Sequence, residues 1–434
     1  MTRIKTTLIA LAAAAAAVAS AAPAQAQAGK EIDELRQELQ RLRKEVAELK
    51  QQRSPAPADA SGWGERLQQV ELKQKDAVVA GDIGSSFRLP GSETSLRLYG
   101  YAEAHLLHDT EATAPGDHFS NLMEQPLRDA GAPRGQTRLT AQASRFGIES
   151  ATPTPHGVFA SKLEMDFYAY CGSSCNRNRL RLRHAYGEYA GWLVGQTWST
   201  FMDLDNTTET VDFNAQLGVP FSRRTQVRYT WGDPSAGLKL AFALEDPEDQ
   251  FGGGSSGERL PHAVARVDKG FDWGGINLRA LTHEKRDAGG ARKRGWGVGL
   301  GGSFKLGDKD LLLATAARVE GDFDNMIGSN GYRFDGTRFL FDRSVGFALG
   351  WAHTFNGQLR SNLSYEESRA HVSDEFLALG DANRRLQQLH AGVIYSPLKN
   401  VELGVEYVGG RRYTFASGGR GKLSRVDLMG RYSF

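Results

Sequence analysis

From residue 94 to the C-terminus the chain falls into sixteen segments of period-two patterning. They lie near 94–107, 136–150, 156–169, 178–190, 191–198, 224–231, 236–244, 261–268, 275–284, 294–304, 310–319, 343–354, 358–369, 385–396, 400–411 and 422–434. The connections constrain the fold more than the segments do. Those after odd segments are mostly long, as at 108–135, 199–223, 245–260 and 320–342. Those after even segments are tight: 152–156, 232–235, 306–310, 355–357 and 396–400. Long loops on one side and short turns on the other are the pattern of a closed antiparallel barrel spanning an outer membrane. An even strand count also brings the last strand back to the side where the first began. A soluble sandwich has no reason to keep its long loops at one end. The expected fold class is therefore all-β, a 16-stranded antiparallel transmembrane β-barrel over 94–434.

The faces of the segments agree. Successive side chains on a strand point to opposite sides. Arg179, Arg181 and Arg183 alternate with Leu180 and Leu182, so the arginines share one face and the leucines the other. Trp296, Val298, Leu300 and Phe304 oppose Gly295, Gly297, Gly299 and Gly301; Val345, Phe347, Leu349 and Trp351 oppose Gly346, Ala348 and Gly350. At the end of the chain Val426, Leu428, Tyr432 and Phe434 oppose Arg425, Asp427 and Arg431. An apolar face wants lipid and a charged face wants an aqueous lumen. Alternation also explains a negative mean hydropathy in a membrane protein. No run beyond the N-terminus approaches the 18 apolar residues a spanning helix needs.

Residues 1–28 combine a basic start (Arg3, Lys5), an apolar run from Leu8 to Val18 and two Ala-x-Ala sites, and they predict a cleaved secretory signal peptide rather than an anchor. The leader holds two of the 53 basic residues and no acid, which leaves 51 basic against 51 acidic residues. With no net charge there is no basic field to attract nucleic acid. Residues 29–53 carry a heptad seam at Ile32, Leu35, Leu39, Leu42, Val46 and Leu49. Its flanks pair Glu31 with Arg36, Glu38 with Arg43 and Glu45 with Lys50, all of opposite sign across a parallel coil. This predicts a self-associating coiled coil. The seam residues lean towards two strands, and its short length calls for help from contacts elsewhere. Residues 54–93 follow as a Pro/Ala-rich linker and partly helical connector.

Cys171 and Cys175 are the two cysteines, and in an exported protein they predict a small-loop disulfide. No further ligand lies nearby to complete a metal site. No ATP-binding motif or plug domain precedes the barrel. A barrel hydrolase would need a nucleophile and base on the lipid-facing rim. His184 and His353 fall in lipid-facing phase, but no nucleophile motif accompanies them. The expectation is a passive channel with no cofactor, no metal and no catalysis.

The stretches Gly84–His105, Ala143–Glu149 ("ASRFGIE"), Leu180–Tyr189 ("LRLRHAYGEY") and Gly195–Asp203 ("GQTWSTFMD") together resemble the DcaP-like porins of Gram-negative bacteria. The resemblance covers most of the chain. It implies an outer-membrane homotrimer with a periplasmic coiled coil, associated with uptake of dicarboxylates and related small anions. The implied trimer departs from the two-strand lean of the heptads.

In porins of this architecture the loop after the fifth strand folds into the lumen. Here that loop, 199–223, is acidic through Asp203, Asp205, Glu209 and Asp212. Arg224 and Arg228 follow in lumen-facing phase, as Arg181 and Arg183 do. Arginine suits anion selection because its planar fork binds a carboxylate through two parallel hydrogen bonds and stays charged. A plainer reading competes for Arg181 and Arg183. A hairpin centred on 173–174 sets them opposite Asp166 and Glu164, as ion pairs in the wall. Arg224 and Arg228 have no acidic neighbour in sequence and are the better expectation for unpaired anion sites. Arg266, Arg279 and Arg360 against Glu103, Glu402 and Glu406 make the expected lumen mixed in sign, a transverse field suited to divalent anions. A phosphate-selective porin is the runner-up, but it predicts a basic constriction loop.

Overall fold

The computed structural model describes residues 79–113, 119–128, 130–169, 178–214, 216–232, 237–248 and 258–434, together with Arg41 and Lys44. The chain divides into two compact units, Met1–Lys75 and Asp76–Phe434. The signal peptide, the coiled-coil seam from Ile32 to Leu49 and the Cys171–Cys175 pair lie outside the described residues.

The second unit is a closed barrel of sixteen antiparallel strands. They are β1 (Ser95–Asp109), β2 (Gln136–Thr140 and Arg145–Thr154, broken by a bend), β3 (Gly157–Asp166), β4 (Arg181–Tyr189), β5 (Trp192–Trp198), β6 (Arg223–Trp231), β7 (Leu238–Glu245) and β8 (His262–Phe271). The circuit continues with β9 (Gly274–Arg286), β10 (Arg292–Leu306), β11 (Asp310–Glu320), β12 (Arg343–Thr354), β13 (Leu359–Arg369), β14 (Asn383–Leu398), β15 (Val401–Thr414) and β16 (Arg420–Ser433). Each strand pairs with the next. β16 pairs with β1, from Arg425 opposite Asp109 to Ser433 opposite Tyr101, and this closes the sheet so that no edge is left in lipid. Two short strands lead in: Phe87–Arg88 pairs with the start of β1, and Val79–Ala80 pairs with Phe87–Arg88. Among the described residues no helix is long and apolar enough to cross a membrane. The crossing falls to the strands, and all sixteen predicted segments are present.

The two faces separate as alternation requires. Leu180 is 53% and Leu182 43% exposed on the outside, while Arg183 is 4% exposed on the inside. Trp296, Val298 and Leu300 are exposed outward, and so are Val345, Leu349 and Trp351. One expectation fails. Met165 pairs with Leu182 but Glu164 pairs with His184, which leaves Arg183 as an extra residue in β4. Such a bulge puts two consecutive side chains on one face. His184 therefore turns inward beside Arg183, where it is buried with Nδ1 2.9 Å from Thr197 Oγ1. It is not lipid-facing.

Three long loops fold back over or into the barrel and pack there. Phe201 of the β5–β6 loop and Met326 of the β11–β12 loop bury against inward Ala243, Val264, Leu281, Ala317 and Val319. Leu122 of the β1–β2 loop and Leu217 of the β5–β6 loop bury against Leu386, Val408 and Leu423. The β11–β12 loop carries a small hairpin, 332–334 with 339–341, and the β13–β14 loop a short helix, α1 (Asp374–Ala378).

Candidate functional site in the lumen

The β5–β6 loop, residues 199–222, is fastened to the inner wall at points all round the barrel. At its start Ser199 Oγ and the Thr200 N–H both donate to Glu245 of β7, each at 2.7 Å. Asp203 is buried against β9. Its Oδ1 accepts from Asn277 at 2.8 Å and from Asn206 at 2.9 Å, and its Oδ2 lies 3.3 Å from Arg279. Asp205 is 80% exposed and reaches Arg266 at 3.2 Å. Glu209 meets Arg360 of β13 in a two-pronged pair at 2.7 and 2.8 Å. Burial alone would raise the Glu209 carboxyl, but the Arg360 guanidinium outweighs it and holds the group below its ordinary range. The N–H groups of Val211 and Asp212 donate to Glu406 of β15 at 3.0 and 2.9 Å. Asp212 accepts from the N–H and hydroxyl of Ser120 at 2.9 and 3.0 Å, tying in the β1–β2 loop.

The loop fits because the wall beneath it is made of glycine. A Cβ on Gly346 of β12 would overlap the backbone of Gly218, which itself sits at φ +72. One on Gly301 of β10 would overlap the Asp203 carboxylate, and one on Gly350 would overlap the Thr208 hydroxyl. Of the inward glycines seen in the sequence, Gly301, Gly346 and Gly350 form the groove in which this loop lies. Gly218 and Val219 also pair with Ile327 through two backbone hydrogen bonds at 2.9 and 3.0 Å, so the β11–β12 loop braces the far end.

The four predicted arginines do not share one environment. Arg181 donates from Nε and Nη2 to Asp166 at 3.0 and 2.6 Å. Arg183 bridges Glu164 at 2.7 Å and Asp166 at 3.0 Å. Both are members of wall ion pairs; Arg181 lies opposite Asp166 as the hairpin register predicts, while Arg183 reaches Glu164 from the bulge rather than from the opposite position. Arg224 faces inward but is not unpaired, which corrects the expectation drawn from its sequence neighbours. Its Nη2 lies 2.8 Å from Asp324, and its Nη1 donates to the carbonyls of Asp246 and Glu248 at 2.6 and 2.7 Å. The acidic partner comes from the β11–β12 loop, a hundred residues on, where local sequence cannot show it. Arg228 differs from the other three. It makes no ion pair or side-chain hydrogen bond among the described residues, and its Nε is buried without a partner. It lines a cavity of about 170 Å³ with Thr200, Thr230, Lys239, Asp205 and Arg266. Lys239, inward on β7, likewise has no ion pair among the described residues.

On the opposite arc, sequence reasoning placed Arg360, Glu103, Glu402 and Arg431 in the lumen but did not pair them. There Arg360 also reaches Glu402 at 2.6 Å, and Glu402 accepts from Arg431 at 3.1 Å. Arg431 pairs with Glu103, whose other oxygen lies 2.8 Å from His105 Nε2; His105 Nδ1 lies 2.9 Å from Asp427. A continuous charged relay thus runs from Glu209 in the loop through β13, β15, β16 and β1. Its signal in the sequence was the inward phase of each member; the pairing was not visible. Among the described residues no cluster of histidine, cysteine or carboxylate side chains is arranged to hold a metal ion.

A family model described as DcaP outer membrane protein matches residues 85–434. Among solved structures, the outer-membrane channel DcaP of Acinetobacter baumannii superposes with a TM-score of 0.73 at 30% identity, covering 82% of this chain and all of that one. An anion-selective porin from Comamonas acidovorans aligns at 15% identity over 79% of this chain and 100% of its own, with a TM-score of 0.53. Salmonella typhi OmpF, in a complex with daunomycin, aligns at 16% identity over 79% of this chain and 98% of its own, with a TM-score of 0.54. The last two likenesses concern the fold alone. No curated protein sequence matches the chain.

Proposed function

Because this chain belongs to the DcaP outer-membrane protein family, we propose that it is a porin for passive diffusion of small anionic solutes, dicarboxylates in particular. Its place is the outer membrane, and the coarse activity is that of a channel. The anion preference is carried by one observation: Arg228 and Lys239 are inward cations with no carboxylate partner among the described residues, and they line a cavity beside the fastened loop. Elsewhere in the lumen Glu103, Asp203, Glu209 and Glu402 pair with arginines and Glu406 accepts from backbone N–H groups, so these acids contribute little free negative potential. Thr200 and Thr230 supply hydroxyl donors at the same place, and two cations with flanking hydroxyls suit a solute with two carboxylates.

Phosphate selectivity has less support, because the loop from Ser199 to Ser222 contains no lysine or arginine. We extend the proposal to a homotrimer joined by the coiled coil of residues 29–53, which the heptad seam and its opposite-sign flanks support. The test is electrical. Purified full-length protein in a planar bilayer under a KCl gradient is expected to give a reversal potential of anion-selective sign. Succinate should block it in resolvable events where acetate does not. A cation-selective sign, or equal effects of succinate and acetate, would refute the proposal.

A further inference from the structure

The extracellular rim between the β1–β2 loop and the β15–β16 corner carries a second basic hollow, on the other face of the wall. A cavity of about 700 Å³ is lined by Arg128, Arg134, Arg411, Arg420 and Lys422, with Glu111 as the one carboxylate among the described lining residues. The strand phase puts it outside the barrel. On β15 Arg411 is in step with Leu403, Val405 and Tyr407, all exposed on the lipid-facing side. On β16 Lys422 is in step with exposed Val426 and Tyr432. Lys422 lies four residues beyond Val426, roughly 13 Å along the strand and about 10 Å higher at the usual tilt. The Arg411–Lys422 pair thus stands above the outward Tyr407–Val426 pair, where a headgroup would meet the wall.

Two features favour an anion in the hollow. Arg411 and Lys422 are direct cross-strand partners. Like charges placed opposite each other destabilise a sheet unless an anion lies between them. The β1–β2 loop is also held down at this spot. Leu127 bridges to Gly421, Arg128 N–H donates to the Arg420 carbonyl at 2.7 Å, and Gln125 Nε2 donates to the Lys422 carbonyl at 2.7 Å. This brings Arg128 to the same rim. Glu111 neutralises only part of the charge, with Lys422 at 2.9 Å and Arg134 at 3.7 Å. Arg128, Arg411 and Arg420 have no ion pair among the described residues.

The geometry points to a docking site for the phosphorylated headgroup of an outer-leaflet glycolipid. A phosphate monoester accepts several guanidinium and ammonium donors at once. The site continues the lipid-facing surface, so the ligand arrives with its acyl chains already against Tyr407 and Val426. It is independent of what the lumen conducts.

The test uses full-length protein in detergent and fluorescent bisphosphorylated lipid A in micelles, with fully dephosphorylated lipid A and inorganic phosphate as controls. Binding of the phosphorylated lipid is expected to be at least tenfold tighter than that of the dephosphorylated form. Inorganic phosphate at millimolar concentration should not displace it. R411A/K422A should lose most of the difference, and R128A/R420A, which leaves the Glu111 pairs intact, should lose it too. Heat-modifiable gel migration checks that each variant remains a folded barrel. Equal binding of both lipids, or unchanged binding in both variants, overturns the site. Full displacement by inorganic phosphate assigns the hollow to a soluble anion instead. Loss of oligomer without loss of lipid binding assigns it to a subunit contact.

Discussion

Two arcs of the lumen treat charge in different ways. From β13 round to β1 each charge has work to do within the fold. Arg360 grips Glu209, Glu406 holds two N–H groups of the loop, and the relay through Glu402, Arg431, Glu103 and His105 closes the barrel seam. Along β6 and β7 the loop is held by Glu245 alone among the wall carboxylates, while Arg228 and Lys239 stand without a pair among the described residues. The contrast teaches that counting lumen charges does not reveal selectivity. A charge that fastens a loop is screened by what it fastens; a charge that fastens nothing is available to the solute.

If so, variants should sort by whether they remove a fastener or an unspent charge. The largest loss of stability is expected from Asp324→Ala. It leaves the Arg224 guanidinium buried and uncompensated, at a cost of about 3–5 kcal/mol. Urea unfolding of the detergent-solubilised barrel measures it. The double change Asp324→Ala/Arg224→Ala should recover much of that loss; a double variant as unstable as the single one would mean the pair is not the fastener. Gly346→Ala comes next. Its methyl group must push Gly218 off the wall, costing about 1–3 kcal/mol and loosening the loop. Single-channel recordings should then show larger and noisier conductance. An unaltered trace would place the loop elsewhere.

Glu406→Gln should be milder, about 1–2 kcal/mol, because the amide oxygen still accepts one of the two N–H groups. Its readout is faster proteolytic clipping between 199 and 222, and equal clipping rates would count against the fastening role. The smallest effect on stability belongs to Arg228→Ala, within about 0.5 kcal/mol of the parent, since no partner is orphaned. A loss as large as that from Asp324→Ala would erase the distinction between the two arcs.

The sequence made the barrel legible, and for a physical reason. Period two and one-sided loops are local signals that each strand repeats sixteen times over. The inward glycine faces of β10 and β12 were legible as faces, but their purpose depended on which loop would lie on them. The bulge at Arg183 was not legible, because an inserted residue leaves the alternation intact on either side of it. The site was partly legible. Register arithmetic found Asp166 and Glu164 for Arg181 and Arg183 because a hairpin links them. It could not find Asp324 for Arg224, since that partner arrives on a loop folded back from β11. Long-range pairing is where one sequence stops being informative, and it decides which arginine is spent.

The most direct test is the reversal potential of Arg228→Ala/Lys239→Ala beside the parent, in a planar bilayer under the same KCl gradient. The expected result is a potential moved to zero or beyond, with succinate block abolished and the unfolding midpoint unchanged. Anion preference and succinate block that survive in a folded double variant would contradict the assignment of selectivity to these two unspent cations.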